Sequence, residues 1–378
     1  MSGHNQLRPL PFIIIAAVAV LIYVLGSSIG DRRGQLFGRD FVNVWVTSTL
    51  IREDRFSEIY NNEEYRQALE ELTQEDLALH AFLYPPNSFW LVIPFSYMPY
   101  FLSLVLWSCA GLLIYLVACG APGWGKNVII PLMLAPTTLL NFDYGQNGLI
   151  SAALFVGGFA LLQKRPIMAG ICFGLLSYKP TLGILIPIAL IIGRNWVSFI
   201  TASIVTLATV AWSMEFAGIE TWQSFIEESI PFSRSLIEYG IGPLMHMMPT
   251  PVMTARLFGL ESSTGYWIQA IFAIYGILGV AWAFARKGPR DLVYATIFVG
   301  TFMVTPYVHN YDMALVSVAL ILIFNHSTEN GFLPGEKITL ALAWVLPLIM
   351  LILPIAPAVI AAVFTLLLIK INYSRNPV

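Results

Sequence analysis

Apolar residues arrive along this chain in long blocks broken by short polar punctuation, the pattern of helices that cross a bilayer. The first block runs from Pro11 to about Ser28 and is longer than the h-region of a signal peptide, so it reads as an uncleaved span. Further blocks, each bounded by charge, Pro or Gly, fall near 100–118, 127–142, 147–163, 166–177, 180–193, 195–216, 264–285, 290–305, 310–324, 338–353 and 355–371, which with the first makes twelve. Two of them, 166–177 and 180–193, are shorter than the ~20 residues a helix needs to cross unaided, and Ser177-Tyr178-Lys179-Pro180 separates them. The stretch 81–99, with Pro85, Pro86, Pro94 and Pro99, reads as a re-entrant or interfacial piece that returns to the side it came from.

Between the first block and 81–99 the pattern changes to helical amphipathicity. Phe41, Val44, Trp45 and Ser48 share one face, and Asp40, Asn43 and Thr47 share another. From Asn62, an apolar stripe of Tyr65, Ala68, Leu69 and Leu72 faces away from Glu63, Glu64, Glu70 and Glu71. Both segments read as helices lying on the membrane surface. The second external segment, 217–263, holds a third: Trp222, Phe225 and Ile226 lie against Glu220, Glu227 and Glu228 between Ile219 and Ile230. The glutamate faces suit plain solvation.

Composition agrees with a bilayer as solvent. Charged residues are 11% of the chain where ~25% is ordinary, and apolar residues are 57%, which excludes a soluble enzyme or a disordered linker. The expected class is an all-α polytopic membrane protein of about twelve transmembrane helices forming a single integral membrane domain. Residues 29–80 carry 6 Arg and 11 Asp or Glu, 17 of the chain's 42 charges, so one polar loop interrupts the membrane pattern early. With the N-terminus inside and twelve spans, Arg8, Lys126, Lys164, Arg165, Arg194, Arg286, Lys287, Arg290, Lys337, Lys370 and Arg375 are cytoplasmic. These 11 basic residues face only 3 acidic ones, while the outer side holds 9 basic and 19 acidic residues. That asymmetry places both termini in the cytoplasm. No basic stripe suggests nucleic acid. Cys109, Cys119 and Cys172 lie in apolar stretches without metal-ligand spacing and read as packing residues.

This topology gathers the unusual polar groups on the outer face. They are Asp40 in Gly38-Arg39-Asp40-Phe41; Asp143, Gln146 and Asn147 in Asn-Phe-Asp-Tyr-Gly-Gln-Asn-Gly; Lys179 between short helices; and His309, Asn310 and Asp312 in Thr-Pro-Tyr-Val-His-Asn-Tyr-Asp. Ionisable groups at membrane depth are costly and mark functional positions. Each also suits a structural role. Asp40 can cap a helix, Gly145-Gln146-Asn147-Gly148 makes a turn, Lys179 can snorkel, His309 can be a satisfied interhelical histidine, and Asp312 can pair with a cation or cap the next helix.

In their order along the chain, these pieces resemble the GT-C glycosyltransferases, and within them glycosyltransferase family 87. The carriers are Gly38-Arg39-Asp40-Phe41, Tyr84-Pro85-Pro86 with Met98-Pro99-Tyr100, Tyr144-Gly145-Gln146-Asn147-Gly148, Ala169-Gly170 leading to Lys179-Pro180, and Thr305-Pro306 leading to Tyr311-Asp312. Family members move sugars from polyprenyl-phosphate donors to mannosides or arabinans outside the membrane. The resemblance implies a catalytic base at Asp40, for a transfer whose chemistry makes Lys179 and Arg256 candidates for the donor phosphate and Gln146, Asn147, His309, Asp143, Asp312 and Tyr84 candidates for sugar or acceptor contacts. It also implies a polyprenyl-phosphate sugar donor, a glycolipid or glycan acceptor, and an active site on the extracytoplasmic face of the plasma membrane. Many GT-C enzymes carry a second acid beside the first; here the neighbour is Arg39, which points to a lone base, no metal and no cofactor. The competing classes are a transporter or flippase of lipid-linked saccharide and a noncatalytic subunit that holds partner enzymes. A transporter usually lines a two-sided path with charge and often shows paired halves, neither of which is visible here.

Overall fold

The computed structural model describes residues 38–74, 80–120, 128–286 and 288–374. The expected first span and the cytoplasmic charges Arg8, Lys126, Lys287 and Arg375 lie outside the described residues. Within them the chain is mostly helical and contains no strand. Five helices are long and apolar enough to cross a membrane: Tyr100–Cys119, Trp196–Ala217, Ser262–Arg286, Asn310–Asn330 and Ala356–Tyr373. The chain is an all-α polytopic membrane protein.

Helices Gly148–Leu161, Arg290–Val304 and Ala314–Asn330 form the centre of the bundle, buried along most of their lengths. Trp196–Ala217 lies at its edge and exposes Trp196, Val197, Ile200, Ile204 and Leu207, as expected of a lipid-facing helix. It packs on Pro166–Leu175 through Gly170 and Gly174, where an added Cβ would sit 2.5 Å from Thr201 and Val205, a small-residue seam that lets two helices close up without a hydrophobic drive.

Proline breaks one expected span and separates two others where the sequence divides them. The block 127–142 divides into Ile129–Met133 and Pro136–Tyr144, with Pro136 opening the second helix and Ala135 extended before it. In 166–193, Pro180 cannot donate to a continuing helix, and Lys179 takes φ −129°, ψ 72° between Leu176–Tyr178 and Pro180–Gly183. The lysine is thereby held on irregular backbone inside the bundle.

One expectation about the external helices changes. Phe41–Arg52 and Asn62–Thr73 both form, and the second keeps its glutamates outward over buried Tyr65, Ala68 and Leu69. Phe41–Arg52, however, buries nine of its twelve residues, including Thr47, Ser48 and Thr49. It does not rest one stripe on a surface. The turns of 81–99 and helix Tyr100–Cys119 wrap it, with the Phe41 ring 6.1, 5.6 and 5.8 Å from those of Phe95, Tyr100 and Trp107. Its polar face survives burial because Thr47 meets the Tyr65 hydroxyl at 3.0 Å, and Ser48 and Thr49 donate to Trp45 O.

At the opposite end of Ala314–Asn330 from Asp312, Lys370 meets Glu336 at 3.0 Å with both side chains buried. Ser327 also donates to Glu336. Lys370, expected only to set topology, thus ties the last two helices together.

Candidate active site

Four chain segments converge on a single polar centre. Gly38 and Gly145 both hold φ +69°, a left-handed conformation that glycine adopts without strain. They let the loop before Phe41–Arg52 lie against the end of Pro136–Tyr144, so that the backbone N–H of Asp40 donates to Tyr144 O at 2.9 Å. Gln146, just past that turn, donates Nε2–H to Asp40 Oδ2 at 2.9 Å. A carboxylate only accepts, so the amide must present its N–H here. Asp40 makes no side-chain capping bond to its helix, and the capping role that its position allows is unused. Its Oδ1 has no hydrogen bond among the described residues. Arg39 Nε approaches it at 3.7 Å and His80 Nε2 at 3.8 Å, and the Asp40 side chain keeps 17% of its surface exposed.

Asn147, the residue after Gln146, reaches a second carboxylate through Lys179. Its Oδ1 accepts from Lys179 Nζ at 3.0 Å, and the same ammonium meets Asp312 Oδ1 at 2.6 Å. The Asp312 side chain is wholly buried, and its Oδ2 accepts the backbone N–H of His309 at 3.3 Å. Asp312 therefore both pairs with a cation and caps the turn Asn310–Met313. Lys179 lies over the rings of Tyr311 and Tyr84, 5.1 and 5.7 Å from their centroids, so it is held inside the bundle and does not snorkel to an interface.

The glycines of the family-like stretch explain this convergence. An added Cβ on Gly148 would sit 2.4 Å from Tyr311 O, and Asn141 Nδ2 donates to that oxygen at 2.9 Å. The 309–312 segment can dock there only because residue 148 has no side chain. Beneath it, Tyr178 and Ser151 meet through their hydroxyls at 2.6 Å, which pins the turn carrying Lys179 to helix Gly148–Leu161.

His309 is buried, stacked on Tyr311 at 5.1 Å and edge-on to Tyr307 at 5.1 Å. Burial, helped by the Lys179 charge, lowers its pKa to about 3, so the imidazole is neutral at ordinary pH. Tyr84 hydrogen-bonds Asn147 through its side chain, and burial, with Asp312 and Asp40 adding to it, pushes its phenol well above the ordinary value. Both rings offer uncharged hydrogen-bonding groups.

Of the residues expected from the sequence, Asp40 and Gln146 meet directly, Asn147, Lys179, Asp312, His309 and Tyr84 are joined by direct contacts, and the Gln146–Asn147 peptide bond connects the two sets. Asp143 is half-buried one residue before the end of Pro136–Tyr144. Arg256 is engaged elsewhere, donating to Ile237 O at 2.7 Å and touching Met253 Sδ at 3.7 Å. His80 and Tyr311 belong to the site and were not singled out from the sequence. A usable signal existed for the first, since His80 is one of five histidines in the chain and the only one in the charged loop 29–80.

The centre thus combines a buried, neutralised pair on irregular backbone with a carboxylate that keeps 17% of its side-chain surface exposed. The family model of glycosyltransferase family 87 matches residues 82–306, more than half the chain. The chain belongs to glycosyltransferase family 87. It is therefore a membrane glycosyltransferase of a GT-C type. The matched region contains Tyr84, Asp143, Gln146, Asn147, Lys179 and Arg256, while Asp40, His80, His309 and Asp312 flank it and reach the same centre through the fold. No curated protein and no solved structure matches the chain. Among the described residues, no group of three or more His, Cys, Asp or Glu side chains is placed to hold a metal ion.

Proposed function

We propose that this family 87 protein is an inverting glycosyltransferase that takes a sugar, mannose, from a polyprenyl-phosphate donor and passes it to a lipid-linked or extracytoplasmic glycan, with Asp40 as general base. The observation that carries this reading is the asymmetry of the Asp40 carboxylate. Gln146 anchors Oδ2, and Oδ1 keeps its lone pairs for a hydroxyl. An inverting transfer needs such a group. The acceptor oxygen attacks the anomeric carbon as its proton moves to Oδ1, and the donor phosphate leaves with the pair of electrons from the broken C–O bond.

The departing phosphate needs positive charge. Lys179 has three N–H groups, of which Asp312 and Asn147 take two, leaving one for a phosphate oxygen. The neutral His309 imidazole and the Tyr84 and Asn147 side chains are suited to sugar hydroxyls. The site faces the extracytoplasmic side in the topology that the basic residues favour, with both termini in the cytoplasm.

The test is transfer of radiolabelled mannose from polyprenyl-phosphate mannose by purified protein. Asp40→Asn keeps the shape of the side chain and its contact with Gln146 while removing the base, and should lower turnover by about 10²–10⁴-fold at unchanged expression. Turnover near that of the parent would exclude Asp40 as base. Translocation of lipid-linked sugar in proteoliposomes without any covalent product would replace the reading with a flippase.

A further inference from the structure

Helix Arg290–Val304 stops where Thr305 turns extended, and the chain that follows carries Tyr307, His309 and Asp312 into the site. The stop leaves carbonyls of the last turn without helical partners. Pro306 has no N–H to offer them, and the N–H of Tyr307 turns back to Thr305 Oγ1 at 3.3 Å. Gln269, buried on helix Ser262–Arg286, meets this need from outside: its Nε2 donates to Met303 O at 2.9 Å and to Val304 O at 3.3 Å. Its Oε1 accepts the N–H of Val252 at 3.4 Å, one of the first-turn donors that helix Pro251–Leu257 cannot satisfy internally. A side-chain amide supplies both roles from one planar group. Gly265, one turn earlier, makes the approach possible, because a Cβ there would sit 3.0 Å from Val252 O.

We propose that Gln269 is a positioning residue of the active site, the joint that holds segment 305–313 in register with the external helix Pro251–Leu257. The inference rests on the reading of Lys179, Asp312 and His309 as donor-binding groups. Two arms run from the joint to the site. The first passes through Thr305 and Tyr307 to His309 and to Asp312, whose carboxylate holds the Lys179 ammonium. The second passes through Arg256, which donates to Ile237 O on helix Ile230–Tyr239. Tyr307 hydrogen-bonds Ser233, one turn before Ile237 on that same helix, so the arms meet again and close a ring of contacts. Opening the ring at Gln269 frees the start of segment 305–313. A displacement of about 1 Å in groups that hold a reacting phosphate is enough to slow transfer by about 100-fold.

Two substitutions test the inference. Gln269→Leu keeps the bulk of the side chain and removes all three bonds. Gln269→Glu keeps a donor and an acceptor while its carboxyl is protonated and loses the donor when it ionises. Transfer by the parent and both variants is measured from pH 5 to 9, below the unfolding temperature of each protein, and expressed relative to the parent at each pH. Gln269→Leu should lose about tenfold or more in kcat/KM for the donor at every pH. Gln269→Glu should approach the parent at pH 5 and fall toward the leucine variant as the pH rises. Parental rates in Gln269→Leu would overturn the inference, and so would a Gln269→Glu protein no better at pH 5 than Gln269→Leu, since restoring the bonds would then restore nothing. Where Gln269→Leu does not fold, Gln269→Glu decides by itself, and equal relative rates at pH 5 and pH 9 would overturn the inference. Parental transfer by Lys179→Gln would instead remove the lysine from the donor site, whatever Gln269 does.

Discussion

Lys179 and Asp312 meet at 2.6 Å, the carboxylate fully buried and the lysine side chain 9% exposed, although 133 residues separate them in the chain. Such a pair repays its desolvation only while both partners stay. Lys179→Ala strands a buried carboxylate and should cost about 3–5 kcal/mol, whereas Lys179→Ala with Asp312→Asn should recover part of that loss. Thermal unfolding in detergent measures both. Equal stability of the single and double variants would mean that the pair is not coupled as described.

Gln146 is expected to act on turnover more than on binding. Its N–H holds Asp40 Oδ2, and a hydrogen bond to a charged group is worth about 1.5–3 kcal/mol, or roughly 10–100-fold in rate. Gln146→Leu should lower kcat by that factor with KM little changed. Gln146→Glu should do more harm, because two carboxylates in contact favour sharing a proton that would block the base. Steady-state kinetics of the two variants across pH 5–8 check this order.

Glycine positions separate docking from ordinary packing. Gly148→Ala drives a Cβ into Tyr311 O and should cost about 1–3 kcal/mol or more, while also displacing the segment that carries His309 and Asp312. Gly157→Ala on the same helix meets only the Ala118 Cβ, at 3.5 Å, and should be neutral or gain up to about 1 kcal/mol from helix propensity. Unfolding temperature and transfer activity, measured on both proteins, should diverge accordingly.

His309 sets a pH dependence of stability. Its folded-state pKa is lowered to about 3 from an ordinary value near 6.5, so between those values the unfolded chain binds a proton that the folded chain refuses. Stability therefore falls as pH drops below about 6.5, and the loss ends near pH 3. His309→Gln should flatten this part of the profile relative to the parent, as read by thermal unfolding at pH 7, 6, 5 and 4.

Helix positions were largely legible because they follow from local chemistry. Apolar blocks of the right length marked Tyr100–Cys119, Trp196–Ala217 and Ser262–Arg286 to within two or three residues, and Pro180 announced the break at Lys179. The fate of Phe41–Arg52 was not legible. Its face pattern fits a lipid surface and a protein groove equally, and only the Pro-rich turns of 81–99, folding back over it, made the difference. Asp40, Gln146 and Lys179 stood out as polar groups in apolar surroundings, and Arg256 carried the same signature, with one N–H donated to the Ile237 carbonyl.

Composition, block length and the placement of Lys and Arg determined a polytopic helical protein with its unusual polar groups at one end, since the bilayer penalises every charge and every unpaired peptide group along the chain alike. Tertiary structure decided which of those groups meet: Gln146 at Asp40 across 106 residues, Lys179 at Asp312, and His80 beside the unanchored oxygen. Those contacts depend on glycines that allow backbone to touch backbone and on turns whose packing no periodicity encodes. The carboxylate was therefore visible in the sequence, and its anchored and open oxygens only in the fold.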